Sequence, residues 1–580
     1  MAGMVVAGAI ALGVAAGCAS DPGADGTSTG DSDLTGLEHA QALGAGDAVL
    51  TLLGTNDIHG SFDLLPQLAG YVDATRAHLA SAYGDRASLL VLDAGDATQG
   101  TLLSNYSEGL LAVRAMNAVG YTAAIAGNHG FDFGPVGWTS DQCRTSRATC
   151  NPLESLERSV KAASFPFLGA NVKWRTTGHN LAFLHPYALV PFQGRNVAIV
   201  GLENHFTDRT TVPENVAALS FGEGTSELSK IVESLFRAGK ADVFVLVMHE
   251  GDADAASMRQ FLEGLPKRSD GEPLVAAAIA GHSHRINDAV AGDIPYIQSG
   301  ANGEMFGMIE LVTHKDPATG RLAVVREKTR KKAAIPISAH PTRFLSEPVV
   351  SSHEVADLLA TGAAEVGALA NEHLANSAVP VSRDGGRLAD SEIGNLLTDL
   401  MIRATGAEIA LINGGDVRDD LPAGDILYEN LFRVLPKNLA LVTVDAMPTR
   451  LVVENMRLST SSCGRRGALQ VSGVKVVFSR DCAHATSGED RQAELLALVL
   501  PSGEKLFERV NGRDVYLRET IKIATTDFVM SGGAGYDKFA GIAPTGALRA
   551  LRDDIATGMK ALGTLDHATF ARGRYVGPSQ

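Results

Sequence analysis

Cysteine and extended basic runs are what this sequence has least of. Its 580 residues hold five cysteines, and no pair of them has the Cys-x-x-Cys spacing or the companion histidines of a structural zinc site. Lys and Arg number 50 against 66 Asp and Glu. No extended basic run is present to track a nucleic-acid backbone, so a nucleic-acid polymer is not the expected partner. An anionic small substrate would need locally placed Arg or metal. No internal repeat occurs, and outside residues 19–47 there is no low-complexity stretch.

With 45% hydrophobic and 20% charged residues, the composition is that of an ordinary globular protein. The length exceeds one core and suggests roughly three to four units. Met1 to Gly17 is apolar and rich in small residues, too short to span a bilayer comfortably, and ends Val14-Ala15-Ala16-Gly17-Cys18. Small residues before a Cys resemble a bacterial lipoprotein signal, with Cys18 lipidated, although Lys and Arg are missing ahead of the apolar part. An uncleaved anchor or a plain secretory signal is the alternative. Residues 19–47, rich in Gly, Ser, Asp and Thr, read as a flexible tether. The expectation is an exported, periplasmic or cell-surface protein, lipid-anchored and monomeric. The other cysteines form two short-range pairs, Cys143 with Cys150 and Cys463 with Cys482, as suits an oxidising compartment; other connectivities stay open.

The informative pattern is an apolar run that ends in ligand-type residues, and it occurs five times. Ala48 to Gly54 leads to Asp57 and His59, Ser88 to Leu92 to Asp93 and Asp96, and Tyr121 to Ala126 to Asn128, His129 and Asp132. Asp242 to Met248 then ends at His249, and Leu274 to Ala280 at His282 and His284. If extended geometry persists, Asp57 and His59 point the same way, because strand side chains alternate with period two. In open α/β sheets the carboxyl ends of the strands are where ligands bind. A lone Asp at a strand end is more often a turn former or helix cap, and a lone His an ordinary polar residue; five such ends together are not.

Between residues 46 and 325 the strand runs alternate with helical segments such as Pro66 to Ala82, Glu108 to Val119 and Thr225 to Ala238, which predicts an α/β domain. Pro336, Pro341 and Pro348 then interrupt the pattern, and Ser351 to Ala375 reads as one connecting helix. A second unit follows, with a helix over Ser391 to Ala404, strands at Ile409 to Ile412, near Ala440 to Val444 and Val474 to Phe478, and a late segment Lys522 to Phe528 that ends at Ser531-Gly532-Gly533-Ala534-Gly535-Tyr536. The expected division is a leader over 1–18, a tether over 19–47, a first domain over 48–335, a linker with a helix over 336–379 and a second domain over 380–580.

Asp57, His59, Asp96, Asn128, His249, His282 and His284 suffice for two divalent cations. Mixed imidazole and carboxylate suits Zn, Mn or Fe better than Mg or Ca. Such a pair clamps the attacking and leaving oxygens of a phosphoryl transfer and activates water near neutral pH. In this order Asp57-Ile58-His59, Gly95-Asp96, Gly127-Asn128-His129, His249 and Gly281-His282-Ser283-His284 resemble the calcineurin-like metallophosphoesterase signature. With the second unit included, the chain resembles the 5′-nucleotidase family, over nearly its whole mature length. The resemblance implies a four-layer α/β/β/α metallophosphoesterase domain followed by a second α/β substrate-binding domain. It also implies one metal on Asp57, His59, Asp96 and His284 and another on Asp96, Asn128, His249 and His282. His129 would stabilise the phosphoryl group, with Asp132 orienting its ring. Where the family usually has an acidic residue, this chain has Gly130. His205, His179, His185 and His353 fit no motif and read as structural.

In the second unit the resemblance makes Arg387, Asn413 and Arg418 substrate ligands, the guanidinium forks suiting a terminal phosphate. Phe528 would be one of two rings that clamp a base. The other ring is replaced by Lys437, after Leu435-Pro436, and Ala534 stands where an Asp would bind ribose hydroxyls. Stacking on an aromatic ring is worth roughly 1 to 3 kcal/mol per base, enough to alter substrate choice. The expected activity is hydrolysis of nucleotides to nucleoside and phosphate. The alternatives are a UDP-sugar, cyclic-nucleotide, non-nucleotide phosphoester or sulfur-ester hydrolase on the same centre, or an idle surface-binding protein.

Overall fold

The computed structural model describes residues 37, 39–137, 150–250, 255–464, 466–484 and 489–577. The expected leader, Cys18, most of the tether and Cys143 lie outside these residues. Two sheets stand face to face in the first half. The first runs in the order 322–324, Met305–Lys315, Asp47–Thr55, Ala87–Asp93, Ala123–Ile125 and Phe167–Leu168, with Arg330–Pro336 also pairing Met305–Lys315. The second runs Ile286–Ala291, Ile294–Ser299, Val275–Ala280, Val243–Met248, Arg195–Leu202 and Tyr187–Phe192.

Alternation along the strand Asp47–Thr55 explains the layering. Leu50 and Leu52 turn inward to meet Val245, Val247 and Ile279 of the other sheet, and Leu53 turns outward to the helices Leu65–Tyr83 and Leu110–Val119. The outer face of the second sheet packs Phe244, Leu246 and Ala278 against Leu228 and Val232 of the helix Thr225–Arg237. The result is helix, sheet, sheet, helix. The central strands of each sheet are parallel and in step: Thr55 pairs with Asp93, and both Leu202 and Ala280 pair with Met248. Their carboxyl ends therefore finish along one edge.

The second half has its own core, spread over a five-stranded sheet of Leu469–Ser472, Ile409–Asn413, Thr520–Thr526, Ala440–Pro448 and Arg549–Ala550. The helix Glu392–Thr405 begins at Ser391, whose Oγ accepts the Gly394 N–H at 3.1 Å. Val355 of the helix His353–Ala370 is buried with the first core, and its end, Leu369 and Ala370, packs on the second. No helix among the described residues is long and apolar enough to cross a membrane.

Two expectations are corrected here, and the late segment is resolved into a strand and a helix. The connecting helix stops at Ala370, not Ala375: Asn371 turns its Nδ2 back onto Gly367 O at 2.8 Å, and His373–Ser377 joins a strand pairing with Gly424–Leu427. The late strand ends at Thr526, whose hydroxyl caps the short helix Asp527–Met530, so Phe528 is helical. The flexible tether does not extend to Asp47. Asp47 already belongs to the first strand, and Gln41 donates its backbone N–H to Tyr83 Oη at 2.7 Å and its Nε2 to Glu310 Oε1 at 2.6 Å. Cys463 and Cys482 form a disulfide, and Cys150 is disulfide-bonded.

Candidate metal centre

The seven side chains expected to bind metal lie together at the shared sheet edge. Three groups converge closely enough to hold an ion: Asp57 with His59 and His284, His59 with Asp96 and His129, and Asp96 with His249 and His282. Asp96 Oδ2 is 2.9 Å from His249 Nε2 and 4.0 Å from His59 Nε2, so one carboxylate faces both sides. Asn128 Oδ1 lies 3.1 Å from His249 Nε2 and 2.9 Å from His282 Nδ1. On the opposite side His59 Nε2 and His284 Nε2 are 3.0 Å apart, with Asp57 Oδ1 3.5 Å from His284 Nε2.

Strand alternation is not what aims Asp57 and His59, contrary to expectation. The strand stops at Thr55, and Asp57, His59, Asp96, His282 and His284 all have positive φ, between 50° and 79°. Each such residue costs about 1–3 kcal/mol, and the conformation persists only where surroundings over-determine it. Here Asp57 N donates to Gly95 O at 2.9 Å, His59 N to Asp96 O at 2.8 Å and Asn302 N to Asp57 O at 2.7 Å, lacing the loops together. Close approach demands Gly127, with φ of 72°: a Cβ there would sit 2.1 Å from Asp96 Oδ1.

The outer contacts test whether a cation fits. His249 Nδ1 donates to Ala94 O at 2.7 Å and His59 Nδ1 to Gln99 O at 3.0 Å. A carbonyl only accepts, so in the neutral rings Nε2 keeps its lone pair and aims it into the cluster, as metal-ligating histidines are held. Asp57 accepts His282 N at 2.8 Å and Asn56 Nδ2 at 2.7 Å. The donor set of nitrogen and oxygen without sulfur fits a borderline divalent ion.

Charge in the cluster is unevenly met. Burial pushes Asp57 up to about 6, tempered by His249. Burial also pushes His59 down to about 3 and His282 down to about 4. Burial works against a charged His249, but Asp96 and then Asp57 raise it to about 10. Burial likewise opposes ionisation of Asp96, yet His249 and His129 hold it far below the usual carboxylate range. The buried carboxylates favour positive charge at the cluster, the direction in which they shift His249.

His129 stands at the rim, its ring 5.2 Å from that of His59. Its Nδ1 donates to Asp132 Oδ2 at 2.6 Å, and Thr211 Oγ1 donates to Asp132 Oδ1 at 2.7 Å. Gly130 leaves no room for the acidic side chain the motif usually has: a Cβ would come 2.8 Å from Ala126 Cβ. The sequence reading missed Glu203, whose oxygens accept Ala126 N and Gly127 N, and also Asn56 and Thr211. Glu203 had a visible signal, a carboxylate directly after the apolar strand Arg195–Leu202; Thr211 had none. His205 instead bonds Glu250 through Nδ1 and stacks on Phe206. His179, His185 and His353 belong to none of the three ligand groups.

The second half faces this edge. Asn105 Nδ2 donates to Pro436 O at 2.7 Å, a buried link between halves. The Arg418 charge acts on both His284 and Asp132, and that of Lys437 acts on Asp132. Among the described residues Arg387 Nη1 donates to Gly464 O at 3.5 Å and Arg418 Nη1 to Gly415 O at 3.3 Å, and neither guanidinium donates to another side chain. Asn413 is buried, its Oδ1 accepting Gly415 N at 3.2 Å. Phe528 is 4% exposed, beneath Lys437.

Two facing sheets with a His/Asp/Asn cluster on their common edge, followed by a second α/β unit, define a calcineurin-like metallophosphoesterase architecture. The family profile described as the 5′-nucleotidase C-terminal domain matches residues 366–541. Over 527 residues the chain is 26% identical to the protein UshA of Escherichia coli (strain K12), covering 84% of this chain and 86% of that one. It is 24% identical over 524 residues to a 5′-nucleotidase of Vibrio cholerae serotype O1, with the same coverage. The 5′-nucleotidase precursor of Thermus thermophilus superposes with a TM-score of 0.64 at 22% identity, covering 92% of this chain and all of that one. The sulfate thiohydrolase SoxB of a Thermus species shares the fold with a TM-score of 0.60 at 15% identity, covering 92% of this chain and 97% of that one. Residues 366–541 match the 5′-nucleotidase C-terminal domain and the chain is similar to UshA and 5′-nucleotidases over most of its length, which supports a phosphoesterase hydrolase of the 5′-nucleotidase type.

Proposed function

We propose that the protein is an exported phosphoesterase with two divalent cations, Zn, Mn or Fe, that hydrolyses nucleotides or closely related small phosphoesters, acting as a monomer. The observation that carries this is the position of Asp96, flanked by His249 on one side and His59 on the other. In this reading Asp57, His59, Asp96 and His284 hold one cation, and Asp96, Asn128, His249 and His282 the other. When bound, the cations supply Lewis-acid polarisation of the phosphoryl group and activation of water.

The chain's own residues do the rest. Asp132 fixes the His129 ring through Nδ1, leaving Nε2 to meet the charge that develops on phosphoryl oxygens. Arg387 and Arg418, neither with a carboxylate within 4.0 Å among the described residues, are free to fork onto a terminal phosphate. Asn413 shapes the turn that presents Arg418, and Phe528 forms the floor of the leaving-group side. The disulfide Cys463–Cys482 and the leader-like start support export, with a lipid on Cys18 as the membrane contact. The domain limits proposed are 47–336 and 373–577, moved from 48–335 and 380–580 because Asp47 and Pro336 belong to strands of the first unit and His373–Ser377 pairs within the second.

The test is a turnover screen of the intact protein with Mn or Zn over nucleoside mono-, di- and triphosphates, sugar nucleotides and simple phosphomonoesters. Metal-dependent phosphate release is expected. Absence of release from every compound would overturn the reading. A second reading, a different leaving group on the same centre, is favoured by Lys437, whose ammonium lies over Phe528.

A further inference from the structure

The Phe528 ring is buried, with 4% of the residue exposed. The ammonium of Lys437 lies 4.8 Å from its ring centroid on one side. Gly533 packs against the ring as well: a Cβ there would come 2.5 Å from Phe528 Cδ2 and Cε2. A planar base needs an open ring face to stack on. Moving Lys437 away is opposed by its ion pair with Asp416, at 3.2 Å and with both side chains largely buried. Next to Gly533, Ala534 offers only a methyl group, so it makes no hydrogen bond to a sugar hydroxyl.

What replaces the missing stack is a donor. A lysine ammonium has three N–H groups; Asp416 takes one. The remainder, beside the charge of Arg418, suit acceptor oxygens of a leaving group. Asn105 of the first half donates to the carbonyl of Pro436, the residue before Lys437, at 2.7 Å, which puts that donor on the side of the second half that meets the first.

We propose that Lys437 is a specificity-determining residue of the phosphoester site, refusing a stacked nucleobase and favouring leaving groups that present acceptor oxygens, such as a sugar or a second phosphoryl group. This rests on the phosphoesterase reading above and narrows its substrate class.

AMP and ribose 5-phosphate differ only by the base and give the test. For the intact protein kcat/KM for ribose 5-phosphate equals or exceeds that for AMP. Because Lys437→Phe strands the carboxylate of Asp416, the variant is built as Lys437→Phe with Asp416→Asn. In it the AMP to ribose 5-phosphate ratio rises at least about fivefold, the lower end of what stacking one base supplies. Equilibrium binding of adenosine, which needs neither turnover nor phosphate, tightens by a similar factor, and Lys437→Ala with Asp416→Asn moves both measures the same way. A wild-type preference for AMP of tenfold or more, or ratios and adenosine Kd unchanged in both variants, would overturn the inference. If no phosphoester is turned over at all, the phosphoesterase reading falls, while adenosine binding still decides the role of Lys437.

Discussion

Glu203 and Gly127 are joined across the two facing sheets: the buried carboxylate accepts the Gly127 N–H at 2.9 Å and, through its other oxygen, the Ala126 N–H at 2.7 Å. The peptide it holds leads directly into Asn128 and His129. Burial raises Glu203 to about 7, so this contact persists at the expense of desolvation. Glu203→Gln keeps the shape but puts an amide N–H against one backbone donor. A loss of about 10–100-fold in metal affinity is expected, the usual effect of disturbing groups that orient ligands. Metal titration of the purified variant checks this; an unchanged affinity would show that the Asn128 turn holds itself.

His129→Ala removes charge stabilisation without removing a ligand of the Asp57, His59 and His284 group or of the Asp96, His249 and His282 group. A fall in kcat of about 10²–10³-fold with metal content unchanged is expected. Asp132→Asn gives a smaller fall, since Thr211 still holds its position. Steady-state kinetics with elemental analysis of the same sample separates the two quantities, and loss of metal in His129→Ala would reassign that ring as a ligand.

Chelation should abolish activity, and Mn or Zn should restore it. Asp96→Ala is expected to resist restoration, because its carboxylate faces both sides of the cluster. His284→Ala, at the exposed rim, should be restored in part at high metal concentration. Activity that survives chelation would contradict a metal centre.

Arg418→Ala and Arg387→Ala act on substrate and not on metal. Each should raise KM by about 10-fold or more, as expected on losing a hydrogen bond to a charged group worth about 1.5–3 kcal/mol. Metal content stays constant. A KM unmoved in both variants would remove these guanidinium groups from the phosphate site.

Acid stability offers a check away from the site. Hydrogen bonds from Lys328 and then His314 hold Asp47 at about 2 against an ordinary 3.8. The folded value is depressed, so this contribution is fully present above about pH 4 and is lost as pH falls through about 2. Asp47→Asn should lower Tm at neutral pH and flatten its decline between those limits. Parallel Tm curves for the two proteins would assign the acid transition to other groups.

Which residues meet in the cluster was legible in the sequence because buried parallel strands are continuous apolar runs, and the polar residues that end them stand out. Asp57, Asp96, Asn128, His249 and His282 could therefore be read, and so could the helix start at Ser391, whose hydroxyl caps locally. Their orientation could not be read from strand period. Five of the candidate ligands sit at positive φ, and what holds them there is hydrogen bonding between loops far apart in the chain, such as Asn302 N to Asp57 O. Likewise the sequence determined that Lys437 stands after Leu435-Pro436, but only tertiary packing placed its ammonium over Phe528 and against Asp416. Local pattern records which residues leave the core; long-range contacts decide where their atoms point.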